Sequence, residues 1–107
     1  MANTLMISKN IVSAAVFAVK ASAGKIIELR IESITAEASF AKIFDGTPTL
    51  GTTVPGAVVQ AASSTLMVWT PKNPVYCATN ISSHSTTTGV TAGATGSTSL
   101  TQSFLYQ

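Results

Sequence analysis

The chain has 107 residues, enough for one domain with its own core, and only 9% of them are charged, against about 25% in typical soluble domains. Its net charge of +2 arises from four acidic residues and six basic ones, and the basic residues are scattered rather than clustered. This composition excludes the clustered basic face of a nucleic-acid-binding protein, and the single cysteine, Cys77, excludes a fold built on disulfides.

The second half of the chain is almost free of charge. Lys72 is the one formally charged side chain between Gly46 and Gln107, and Thr, Ser, Ala, Gly and Val supply most of the remainder. Protein interfaces are depleted in charged side chains at their centres. We therefore expect a protein that functions packed against other protein, with neighbours against much of residues 46–107.

The N-terminal region contains an apolar run at residues 11–19, followed by Lys20 and an Ala-Ser-Ala sequence. Such a run before Ala-x-Ala is typical of a signal peptide, but Lys20 separates the two here, and nine residues are too few for a bilayer, which needs about 20. We instead predict a strand over residues 14–20 and a short one over residues 5–8. Residues 1–11 are a candidate N-terminal arm of a single domain that covers residues 1–107.

Alternation with a period of two predicts the next two strands. In residues 25–33 it places three apolar side chains on the core face and three charged ones on the solvent face: Ile27, Leu29 and Ile31 against Glu28, Arg30 and Glu32. The following strand covers residues 39–44 and ends at Asp45-Gly46. In that strand Phe40 and Phe44 flank Lys42 on a face that is either a second buried layer or a contact patch.

Four further strands are predicted over residues 56–60, 65–70, 75–82 and 99–106, where β-branched and aromatic residues are enriched. A helical turn near Ala61 is the alternative within residues 57–67, although the Val, Ser and Thr residues there disfavour a helix. The expected fold class is all-β: a single small antiparallel β-sandwich of about seven or eight strands, with the jelly roll as one form of it.

Residues 82–97 form a low-complexity segment of Ser, Thr, Gly and Ala that we predict to be a loop. A segment of this kind is flexible by itself, so we expect neighbouring subunits to order it. His84 within it is expected to face solvent or an interface. Cys77, by contrast, is predicted to be a small buried apolar residue of the strand over residues 75–82.

No set of residues has the spacing of a catalytic, cofactor-binding or metal-binding site, so we nominate none and do not expect an enzyme. Glu28 and Glu32 share a strand face, where an acid–base pair is the alternative to a solvated ion pair with Arg30. Trp69 and Tyr76 are expected to pack in the core or an interface, with a sugar-stacking platform as the alternative. Asn80-Ile-Ser82 matches a short glycosylation sequon.

The order of several segments resembles a known family. These are residues 20–33, residues 40–55 with the run Thr-Pro-Thr-Leu-Gly-Thr, residues 75–80 before the Thr/Ala/Gly loop, and residues 100–106. In this order they resemble the small β-sandwich proteins that decorate or cement the heads of tailed bacteriophages.

The resemblance implies a structural virion protein at the capsid surface that binds the major capsid protein and forms a homo-oligomer, with a trimer favoured. It implies neither a nucleic-acid partner nor a membrane partner, and no cofactor. Two alternatives stay open: a tail or baseplate structural subunit, and a glycan-binding virion module that uses Trp69 and Tyr76.

Overall fold

The computed structural model describes residues 6–11, 15–90, 93 and 95–107, with the side chains of residues 6–11 left aside. Within these ranges the chain forms nine strands and no helix, which confirms the predicted all-β class. The strands are β1 (Met6–Ile11), β2 (Phe17–Lys20), β3 (Gly24–Ser33), β4 (Ser39–Asp45), β5 (Ala57–Ala61), β6 (Leu66–Trp69), β7 (Val75–Cys77), β8 (Ile81–Thr86) and β9 (Leu100–Tyr106).

The strands form two antiparallel sheets with a nested order. The first sheet runs β1-β9-β3-β6, with the short β7 also paired to β3, and the second runs β2-β8-β4-β5. Four antiparallel pairs are nested along the chain, from its outermost strands to its innermost ones: β1–β9, β2–β8, β3–β6 and β4–β5. Eight strands paired in this way and folded into two sheets make a jelly roll, and β7 is an addition between β6 and β8.

Alternation along the strands fills the space between the two sheets. On β9 every second residue from Leu100 to Tyr106 is buried, and the residues between them are half-buried. Cys77 is buried in the same core, as predicted. The core cluster also includes Val19, Ile26, Leu29, Ile31, Ala41, Ile43, Val59, Ala61, Ile81, Leu100, Phe104 and Tyr106. Each large apolar side chain buried there contributes about 1.5–3 kcal/mol to folding.

A β-bulge changes which isoleucine of β3 enters the core. The register against β9 shifts between Ile26 and Glu28, so the bulged strand carries an extra residue at this point. As a result Ile26 is fully buried, whereas Ile27, predicted to face the core, is half-buried. Beyond the bulge the prediction is confirmed, with Leu29 and Ile31 in the core.

The strand predicted over residues 75–82 is wrong as a single element. The chain turns at residues 78–80, so that β7 lies in the first sheet and β8 in the second. The carboxylate of Asp45 accepts hydrogen bonds from the backbone N–H groups of Ala78 and Thr79 at 2.9 and 2.8 Å. The side-chain oxygen of Asn80 accepts a bond from the N–H of Gly46 at 3.0 Å. The end of β4 therefore fixes the turn that separates β7 from β8.

The N-terminal predictions fall partly outside the described residues. β1, which takes up much of the candidate arm, pairs with β9 of its own chain, while residues 1–5 lie outside the described ranges. The strand predicted over residues 14–20 appears as β2, and residue 14 also lies outside. β5 continues through Ala61, so the helical alternative there is wrong.

Candidate protein-binding surfaces

The loop over residues 87–99 joins β8 to β9, and its described residues, 87–90, 93 and 95–99, cover the outer face of the second sheet. Lys42 on β4 alternates with the core residues Ala41 and Ile43, so its side chain points away from the core, yet it is only 2% exposed. Its Nζ donates hydrogen bonds to the carbonyl oxygens of Val90 and Gly93 at 2.5 and 2.6 Å. Burial lowers the pKa of this ammonium group from its usual value. Of the two predictions for this face, the second buried layer is correct.

Further contacts within the chain hold the same loop. The N–H of Ser97 donates to the carbonyl of Ser85 at 2.9 Å, and the N–H of Thr87 donates to the carbonyl of Thr95 at 3.2 Å. Gly89 lies so close to the Phe40 ring that a Cβ there would be 3.0 Å from it. These contacts hold the described part of the loop against the second sheet within one chain. That neighbouring subunits also order it stays a prediction.

His84 lies on β8 rather than in a loop, and its predicted solvent or interface position is wrong. It is 1% exposed and stands opposite Lys42 in the pairing of β4 with β8. The strand continues through the Ser/Thr run because its hydroxyls have partners inside the fold. Ser83 donates to the side-chain oxygen of Gln102, and the amide of Gln102 donates to Ser85, both at 2.6 Å.

Gln102 links the two sheets through this buried network, and no prediction singled it out. A signal was present, because Leu100, Phe104 and Tyr106 share its strand face and all are apolar. A glutamine on an apolar face needs polar partners in the core. The Ser/Thr-rich segment over residues 82–97 is the nearest one in sequence that could have supplied these polar partners.

The connections between strands collect at two ends of the jelly roll, and one end carries little charge. The loops over residues 34–38, 62–65 and 87–99 meet there, through bonds from Ser64 N–H to the Thr35 carbonyl and from Ile34 N–H to the Ser99 carbonyl. We call these three loops the charge-poor end. Glu37 is its one charged residue, and Val90 stands out from it with 64% of its surface exposed.

The edge of the first sheet presents a second uncharged surface. β6 reads Leu-Met-Val-Trp, and Leu66, Met67 and Val68 are 57%, 41% and 46% exposed. Trp69 instead packs partly against the core. Among the described residues, β3 is the only strand that pairs with β6. Its other backbone edge is therefore available to a partner.

The two aromatic residues of the sugar-platform alternative do not meet. Trp69 stands opposite Leu29, a core residue, whereas Tyr76 stands opposite the exposed Lys25. Directly opposed residues of an antiparallel pair point to the same face of the sheet. The two rings therefore lie on opposite faces, with Tyr76 the exposed one.

The remaining polar candidates are engaged locally. Arg30 Nε donates to a carboxylate oxygen of Glu28 at 3.4 Å on the outer face of β3, which matches the solvated ion pair expected there. Asn80 of the sequon accepts bonds from the Gly46 N–H and the Ser82 hydroxyl, and Ser82 is buried. The described residues contain no group of three or more His, Cys, Asp or Glu side chains that could hold a metal ion.

The fold defines a small jelly-roll domain, and its two candidate binding surfaces are the charge-poor end and the β6 edge. No helix in the described part of the chain is long and apolar enough to cross a membrane. No family model, curated protein or solved structure matches the chain.

Proposed function

We propose that this chain is a structural virion protein that binds the outer surface of a tailed-phage capsid and cements or decorates neighbouring major capsid subunits. The observation that carries the proposal is the charge-poor end. It offers hydroxyl, methyl and backbone groups with Glu37 as its one charged residue. Its longest loop is held in place by Lys42. A preordered surface loses little conformational entropy when it binds other protein, and one with few charges has few ions to desolvate.

The fold is compatible with this role. Jelly rolls recur in viral capsid proteins and also in lectins and cupins. Function therefore has to be argued from the surface and not from the fold. The composition adds support, because a chain with 9% charged residues has an unusually weakly charged surface for a protein that is alone in water.

Capsid binding can be tested by adding one charge to each end of the domain. Val90→Glu places a carboxylate on the charge-poor end, and Val54→Glu makes the same change in the loop over residues 46–56, where Val54 is 74% exposed. Purified heads of the phage that encodes the chain are mixed with each variant and sedimented. We expect Val90→Glu to lose binding and Val54→Glu to keep it, with both retaining a β-sheet circular-dichroism spectrum.

Two outcomes would contradict the proposal. Wild-type protein that sediments with isolated tails but not with heads would favour the tail or baseplate alternative. Binding to heads that Val90→Glu leaves unchanged and Val54→Glu abolishes would assign the contact to the opposite end of the domain.

A further inference from the structure

We infer that β6 is a self-association strand, through which two copies of this chain pair antiparallel about a two-fold axis at Met67. The occupant of the open β6 edge is thus a second copy. This inference rests on the first-sheet edge alone and does not depend on capsid binding.

β6 lacks the devices that protect other sheet edges. β1 contains Lys9 and a register shift, and β2 contains Lys20 and a register shift. Charged residues and bulges at edge strands oppose pairing with other chains. β6 has neither, and no charged residue lies between Asp45 and Lys72. β5 is also an uncharged edge, but its Val59 and Ala61 are buried and Val58 is its one large exposed apolar side chain.

The hydrogen-bond pattern decides which β6 groups face outward. The N–H of Ser33 donates to the carbonyl of Thr65, so Thr65 directs its backbone groups at β3. In an antiparallel ladder this orientation alternates, which leaves the N–H and C=O groups of Leu66 and Val68 on the open edge. Pairing Leu66 of one copy with Val68 of the other, and the reverse, forms two bonded pairs that each exchange two N–H···O bonds.

The short length of β6 selects this register over its alternatives, and the charges on β3 are compatible with it. On the outer face of the sheet, Glu32 stands beside Leu66, and Arg30 stands beside Val68. With the axis at Met67, four residues stand side by side in a row across the joined sheet. They are Glu32 and Leu66 of one copy, then Val68 and Arg30 of the second copy, so the two ends of the row carry opposite charges. An axis at Leu66 would place the Glu32 residues of both copies in one row. An axis at Val68 would do the same with the two Arg30 residues. Both alternatives also pair one end of β6 with a residue outside the strand, Ser64 or Thr70, so only one bonded pair forms within the strand instead of two.

The pairing covers the apolar surface that the single chain leaves in water. Leu66 and Val68 would pack against each other across the axis on the outer face, and Met67 would meet its own copy on the other face. Directly opposed residues that are not hydrogen-bonded have Cβ atoms about 4.5–5.5 Å apart. That distance is close to the roughly 3.5–4.5 Å between the Cβ atoms of a disulfide.

Cysteine substitution therefore tests the axis. Met67→Cys is expected to give a disulfide-linked dimer on a non-reducing gel after mild oxidation. Leu66→Cys is the matched control, because the axis places each Cys two residues along the strand from its copy, beyond disulfide reach. The unsubstituted chain measures any background from Cys77, which is buried.

Solution mass tests the association without cross-linking. The unmodified chain is expected to have twice the mass of one chain by light scattering. Val68→Lys is expected to reduce it to the mass of one chain while keeping its circular-dichroism spectrum, and Val54→Lys is expected to remain a dimer. A monomeric wild type, a trimer, or equal cross-linking of the Met67→Cys and Leu66→Cys variants would overturn the inference. None of these results bears on capsid binding by the Val90→Glu assay, so the two proposals can fail separately.

Discussion

Replacing Lys42 with Met tests whether one buried ammonium group holds the loop over residues 87–99 against the second sheet. In the folded chain Nζ donates to the carbonyl oxygens of Val90 and Gly93 at 2.5 and 2.6 Å. Met keeps most of the length of the lysine stem and removes the ammonium group. Both carbonyls then lose the bond from Nζ, and that of Val90 keeps the bond from the Gly93 N–H, while the β4 backbone and its pairing with β8 remain.

The expected effect follows from the two lost bonds. A hydrogen bond to a charged group contributes about 1.5–3 kcal/mol net, so two of them contribute about 3–6 kcal/mol. Burial of the ammonium opposes this, as the lowered pKa of Lys42 indicates, so we take the lower end of the range. A loss of about 3 kcal/mol from the free energy of local opening accelerates amide exchange in the loop roughly 100-fold.

Native-state hydrogen exchange measures this effect directly. The amides of Thr87 and Gly93, which donate to the Thr95 and Val90 carbonyls, report on the loop, and the β3 amides report on the whole fold. Lys25→Met is the matched control, since Lys25 is exposed on the first sheet. Loop amides that exchange at the wild-type rate in Lys42→Met would refute the reasoning. Equal acceleration of the loop and β3 amides would also refute it, because Lys42 would then act on global stability.

Three other predictions concern the interior and the turn between β7 and β8. Gln102→Leu leaves the hydroxyls of Ser83 and Ser85 without their partner and should reduce the free energy of unfolding by about 2–4 kcal/mol. In urea titrations, changing both serines to Ala as well should recover more than half of that loss, and a triple variant as unstable as the single one would contradict this account. Backbone N–H groups lower the pKa of Asp45, so the unfolded chain binds its proton first as pH falls. Thermal stability should therefore decline below about pH 4, and Asp45→Asn should flatten that part of the melting curve against pH. Burial, and secondly the charge of Asp45, raises the pKa of Cys77, so at pH 7 a thiol reagent should modify it only at the rate of unfolding, and fast labelling of the native chain would contradict that.

The strands that the sequence predicted well share one property: their two faces meet different environments. β3 alternates charged and apolar residues because one face is in the core and the other in water. The final strand, β9, is recognisable from its apolar residues at every second position. Period-two alternation is a local signal, so it can be read without knowing which strands pair.

The errors arose where a distant partner decides the local structure. β8 has no apolar alternation, because both its core-facing serines bond to Gln102 and its outer face is covered by the loop over residues 87–99. The turn before β8 depends on Asp45, more than thirty residues away in sequence. The bulge that exchanges Ile26 for Ile27 arises in the register with β9. Each of these causes lies far along the chain from the residues it affects, whereas a sequence pattern is read over only a few consecutive residues.

The candidate surfaces were predictable only in part for the same reason. The low charge of residues 46–107 correctly indicated uncharged surfaces, but it also suggested that water lies on one side and protein on the other. In the fold, Leu66 and Val68 share the outer face of the first sheet with Arg30 and Glu32. A separation of charge along the chain thus becomes a mixture in space.

The geometry of the two proposals constrains how they can operate together. An antiparallel β6 contact turns the second copy end over end, and the charge-poor end of each copy lies at the start of its own β6. The charge-poor ends of the two copies then point in opposite directions. If one copy contacts a capsid through Val90, the other presents its charge-poor end away from the shell. A cross-linked Met67→Cys dimer should therefore still bind heads, at two chains for each occupied site, and the outward copy should remain open to labelling at its charge-poor end. Binding that requires reduction of the cross-link would mean instead that the dimer is a form in solution that must separate before the chain attaches.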